Sequence, residues 1–157
     1  MKTKVSDCLT LEAFQGAELI SGRHRLGGRI RSVSVMDSAD PEDAVRENGI
    51  KEQLVLTSFR GMTAEGMASS VKGLAEKGVS GILIFNRNGK ADSIPGKVVE
   101  AALSVGLPFL AMPKHAGYAD VIEQVMGRLL YGDSSFENDL INNTIYHLLN
   151  FEKHSNF

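Results

Sequence analysis

The sequence predicts a three-layer α/β domain with a mostly parallel sheet, and three observations carry that expectation. Apolar runs without alternation recur at Leu54-Val55-Leu56, at residues 79–85 and at residues 107–112. Strands buried on both faces read this way, whereas half-exposed strands alternate. A segment of helical period separates each run from the next, and polar turns close them. Strand, crossover helix and strand make a βαβ unit with parallel strands and a right-handed connection.

The clearest unit spans residues 53–87. Its helical segment places Ala64, Met67, Ala68, Val71, Leu74 and Ala75 at three- and four-residue intervals, hence on one face. Thr63 is the expected cap, Glu65 suits the first turn, and Gly78 stands where a left-handed residue usually ends a helix. Before this unit, residues 5–14 read as one or two helical turns and Glu18-Leu19-Ile20 as a short strand. Residues 22–28 form a loop, and residues 29–36 alternate. That alternation predicts a half-buried strand paired with Glu18-Leu19-Ile20 in an amino-terminal hairpin. Asp40-Pro41 starts a helix that runs to about Arg46, with a capping acid followed by proline. After residue 85 the pattern repeats. Val98, Val99, Ala102 and Val105 make a helix face ended by Gly106, and Pro108 can stand only at the beginning of the following strand or on an edge. Tyr118, Val121, Ile122, Val125, Met126 and Leu129 form another amphipathic helix, ending near Gly132.

The organisation expected is an α/β sensor domain over residues 1–132 and a helical connector or dimerisation segment over residues 133–157. In the latter, Phe136, Leu140, Ile141, Ile145, Leu148 and Leu149 form an apolar stripe. That stripe suits pairing with a second copy, a connector to a following domain, or folding back onto the sheet.

A chain of 157 residues suffices for one domain with a real core. Its net charge of −2 offers no electrostatic case for nucleic-acid binding by the module. Cys8 is the single cysteine, which excludes an internal disulfide and a cysteine zinc site and fits a reducing cytoplasm. No apolar run approaches the roughly 20 residues of a membrane span. A cytoplasmic location without membrane contact is expected.

No catalytic signature is present: phosphate-loop, dinucleotide, nucleophile-elbow and zinc-protease patterns are all missing. The four histidines lack metal-ligand spacing. Asp37, Asp40, Glu42 and Asp43 read as helix-start acids, and Arg23-His24-Arg25 with Arg29 and Arg31 as a solvated loop. No metal, cofactor or catalytic residue is expected. In an open parallel sheet, ligands bind beyond the carboxyl ends of the strands. Those ends carry Thr57, Ser58 and Arg60 after one strand and Asn86 and Arg87 after the next. Two hydroxyls and a guanidinium at a helix start could hold a carboxylate, a phosphate or a heterocyclic carbonyl, or could serve turn chemistry and capping alone.

Three stretches together resemble the amino-terminal domain of PucR-type regulators, the purine catabolism regulatory protein-like family. They are Val5-Ser6-Asp7-Cys8-Leu9 with residues 17–22, then residues 52–58, then Gly78-Val79-Ser80-Gly81-Ile82 with Gly106-Leu107-Pro108-Phe109. The pattern covers about residues 3–130 and is also similar to DRTGG domains. The resemblance implies a sensory module of a transcription factor that receives a small-molecule effector, a purine-related metabolite, while DNA is bound by a domain absent from this chain. Where that family often shows a threonine pair and glycine after the strand, this chain has Thr57-Ser58-Phe59-Arg60-Gly61. The function expected is ligand sensing for transcriptional control, relayed through a homodimer. A small hydrolase or nucleotide-binding subdomain using Arg60 and Asp37, and a plain oligomerisation module, are the alternatives.

Overall fold

A computed structural model describes residues 2–85 and 93–131. Five strands form one sheet: β1 (Glu18–Ser21), β2 (Ser32–Met36), β3 (Gln53–Thr57), β4 (Gly81–Ile84) and β5 (Phe109–Ala111). Their spatial order is β1-β5-β4-β3-β2, with β2 to β5 mutually parallel and β1 antiparallel to β5. Helices α2 (Pro41–Glu47), α3 (Ala64–Glu76) and α4 (Gly96–Val105) are the successive crossovers. Their apolar faces meet Met36, Val55, Ile82 and Phe109 in one core cluster. The opposite sheet face, with Leu54, Leu56, Leu83 and Leu110, is covered by α1 (Val5–Cys8), a 3-10 turn at Glu12–Phe14 and α5 (Tyr118–Tyr131). The three layers and the mostly parallel sheet are as the apolar runs predict.

The amino-terminal hairpin is overturned. β1 and β2 lie at opposite edges of the sheet, so no hairpin joins them. Four strand spacings separate them, about 19 Å, a span that residues 22–31 can cross. They cross at the amino ends of the strands, where Arg25 Nη1 donates to the Val105 carbonyl at 3.2 Å and Ser80 Oγ donates to the Arg29 carbonyl. The alternation of residues 29–36 in the sequence belongs to an edge strand rather than to a hairpin strand. Ser32 to Val35 are each half-buried, and β2 has β3 as its paired strand in a register without a bulge.

β1 finds its place through the other end of the chain. Ser21 Oγ donates to the Leu107 carbonyl at 2.6 Å, and Glu18 and Leu19 face Ala111 and Leu110. Gly22, at φ +82°, brings its backbone against Leu107 and Pro108; a Cβ there would sit 2.2 Å from the Pro108 nitrogen. Pro108 precedes β5, where its missing amide costs no ladder bond, and its carbonyl accepts from Ile82 at 2.9 Å.

The helix starts follow the residues that predict them. Asp40 accepts from the Glu42 and Asp43 amides at 2.9 and 3.4 Å, and Thr63 Oγ1 accepts from Gly66 at 3.0 Å. Gly78 holds φ +83° just after α3. In α3 the face buries Val71 and Leu74 fully, together with Ser70, whose hydroxyl donates back to the Gly66 carbonyl at 2.9 Å. The proposed connector of residues 133–157 lies outside the described residues.

Candidate functional site at the strand ends

The carboxyl ends of β2 to β5 share one edge of the sheet, because parallel register aligns Met36, Thr57, Ile84 and Ala111. β3 contributes the turn that enters α3. Thr57 is fully buried, and its Oγ1 accepts the Phe59 amide at 2.9 Å. Its carbonyl accepts the Phe85 amide at 2.8 Å, which ties the loop after β3 to the end of β4. Phe59 adopts φ +51°, a conformation uncommon for a non-glycine residue, and its side chain joins the core at 2% exposure. The Met62 amide returns to the Phe59 carbonyl at 3.1 Å. Gly61, at φ +79°, abuts Ala39 closely enough that a Cβ would lie 3.0 Å from the Ala39 Cβ. The two neighbouring loops are therefore packed on each other.

That arrangement sorts the residues expected to bind. Thr57 shapes the turn from beneath, with its hydroxyl oxygen already engaged. Ser58 and Arg60 stand exposed on either side of the buried Phe59. Asp37 is exposed at the adjacent strand end, and Asp40 is occupied by capping α2. Asn86 and Arg87 lie outside the described residues. The chemistry on offer is a hydroxyl donor or acceptor, a guanidinium that favours carboxylate, phosphate or carbonyl oxygens, and a carboxylate nearby.

One residue at this end was missed from sequence. Tyr118 begins α5 and packs edge-on against Phe85, with ring centroids 4.6 Å apart and planes at 72°. Its hydroxyl is buried, with no hydrogen-bond partner among the described residues. In sequence Tyr118 reads only as the first apolar position of a helix, so no signal distinguished it.

Cavities also open away from these loops. A groove of about 740 Å³ runs between α3 and α4, crossed by the Lys97–Glu65 ion pair at 3.1 Å. A pocket of about 330 Å³ opens near Arg25, Arg29 and Glu52 at the amino ends of β3 and β4. No helix among the described residues is long and apolar enough to cross a membrane.

A mostly parallel sheet covered on both faces, with exposed polar turns at its strand ends, defines a three-layer α/β domain. The chain belongs to the purine catabolism regulatory protein-like family, whose profile matches residues 7–129. It is also similar to the purine catabolism regulatory protein of Bacillus subtilis (strain 168), at 26% identity over 127 residues. That match covers 80% of this chain and 23% of the relative, so the chain spans less than a quarter of the relative's length. No solved structure gives a significant match.

Proposed function

We propose that this chain is the ligand-sensing part of a cytoplasmic transcriptional regulator, with DNA bound through a different domain. Family membership supports the regulatory setting, and the relative's name supports purine catabolism as the context. The observation that carries the sensing role is the turn after β3. There Phe59 is anchored in the core while Ser58 and Arg60 are held outward at the carboxyl edge of a parallel sheet. Thr57 orders that turn, and Asn86 and Arg87, which follow β4, complete the proposed ligand set. The effector is a small molecule whose oxygen atoms accept from Arg60 and Ser58. Its effect on DNA binding would come from differential affinity for two arrangements of a homodimer, relayed through residues 134–154.

The decisive experiment is a thermal-shift screen of the full chain against purines, ureides, amino acids and nucleotides, repeated with Arg60→Ala. A compound that raises the melting temperature of the parent and loses at least tenfold in affinity with Arg60→Ala supports the reading. Loss of one charge-assisted hydrogen bond, about 1.5–3 kcal/mol, corresponds to that change. If Arg60→Ala chiefly lowers the melting temperature of the free protein, the guanidinium serves the fold and the site is elsewhere.

A further inference from the structure

The opposite end of the sheet holds a second constellation, independent of the strand-end turn. Glu52 directly precedes β3 and adopts φ +63°, one of two non-glycine residues among those described with positive φ. Asparagine or glycine would occupy that conformation more easily, so a glutamate there is held by its surroundings. Its backbone is fully used: the amide donates to Gly78 at 2.9 Å and the carbonyl accepts from Arg31 at 2.7 Å. Its carboxylate is not. Oε2 is closed off from solvent, and among the described residues no donor lies within hydrogen-bond distance. Arg29 Nε stands 3.6 Å away, close enough for attraction and too far for a bond.

The pocket of about 330 Å³ opens at this point, lined by Glu52, His24, Arg25, Arg29, Gly28 and Gly78 among others. Its volume is at the lower end of the small-molecule range. A carboxylate oxygen without a hydrogen bond therefore lies beside the Arg29 guanidinium, and Arg25, whose Nη1 donates to the Val105 carbonyl, lines the same pocket. A simple anion would be drawn to Arg25 and Arg29 but repelled by Glu52. A simple cation meets the reverse. A molecule carrying an ammonium and a carboxylate a few ångströms apart offers an opposite charge to each side.

We propose that this pocket binds a small zwitterion of the α-amino acid class, its ammonium on Glu52 and its carboxylate between Arg25 and Arg29. Gly28 and Gly78 add backbone, without side chains of their own, to the pocket wall.

The test is a titration of the full chain with L-alanine and with L-glutamine, followed by amide chemical shifts. Saturable shifts are expected at Gly28 and Gly78. Propionate and ethylamine, each carrying one of the two charges, should bind at least tenfold more weakly. Glu52→Asn keeps the left-handed conformation accessible while removing the carboxylate. It should leave the melting temperature equal or higher and abolish the saturable shifts. Arg29→Ala should weaken binding at least tenfold, and Arg60→Ala should leave it unchanged, which separates this pocket from the strand-end site. Four results overturn the proposal: no saturable shift with either amino acid, propionate binding as well as they do, binding retained in Glu52→Asn, or a lower melting temperature for that variant.

Discussion

Thr57 accepts the amide of Phe59 at 2.9 Å, and that bond lets a strand end, an aromatic anchor and two exposed polar side chains share the four residues 57–60. The amide is that of a residue in the left-handed region, and both partners are buried. Thr57→Val keeps the shape and removes the acceptor, leaving the Phe59 N–H unpaired. A loss of about 1–3 kcal/mol in unfolding free energy is expected by urea titration. A smaller loss would mean that the Phe59 amide has a substitute acceptor.

Two glycines separate conformational cost from steric cost. At Gly78 a Cβ would meet nothing closer than Lys51 Cγ at 3.6 Å, so Gly78→Ala pays for φ +83° alone, about 1 kcal/mol. At Gly22 the same change also drives a Cβ to 2.2 Å from the Pro108 nitrogen. Backbone cannot move aside as a side-chain end can, and Gly22→Ala should cost about 3 kcal/mol or more. Equal losses in chemical denaturation would contradict the close approach of Gly22 to β5.

Cys8 should be inert in the folded protein. Burial pushes its thiol up to about 12, with the Asp7 carboxylate adding to the shift and the Arg128 guanidinium opposing it. Alkylation at pH 8 should be slow in buffer and fast in denaturant, because the thiolate is the nucleophile. The folded thiol keeps its proton where an unfolded one, near 9, has lost it. Stability should therefore fall as pH rises from about 9 toward 12, and Cys8→Ala should flatten that part of the profile.

The proposed relay through the carboxyl-terminal segment is tested by shortening the chain. Residues 5–129 supply both core clusters found among the described residues, and a chain ending at residue 133 is expected to melt cooperatively if the proposed boundary near residue 132 holds. If the stripe Ile141, Ile145, Leu148 and Leu149 joins two copies, as proposed, the full chain is a dimer and the shortened one a monomer by light scattering. A shortened chain that stays dimeric places the seam elsewhere. One that fails to fold makes the stripe part of the core.

Much of the fold was legible in the chain because its signals are local. Unbroken apolar runs marked β3, β4 and β5; Asp40 and Thr63 announced the helices they cap, and Gly78 the end of α3. Each depends on neighbours within a few residues, so composition and spacing suffice. Which strand lies beside which does not depend on such neighbours. The half-buried pattern of β2 is the same for a hairpin and for a parallel edge, and tertiary packing alone put β1 beside β5. Gln53 shows the same division. In sequence it merely starts a strand, yet its Oε1 gathers Gly49, Ile50 and Ser34 while its Nε2 reaches Ser32. At the site, Ser58 and Arg60 could be named from their place after a strand, but not that Phe59 would turn inward or that Tyr118 would pack on Phe85 with a hydroxyl that no described residue meets. Sequence determined the elements, since hydrogen bonding and periodicity act along the chain. Only the folded structure decided edges, close approaches and unmatched polar groups, since those arise where distant segments compete for the same space.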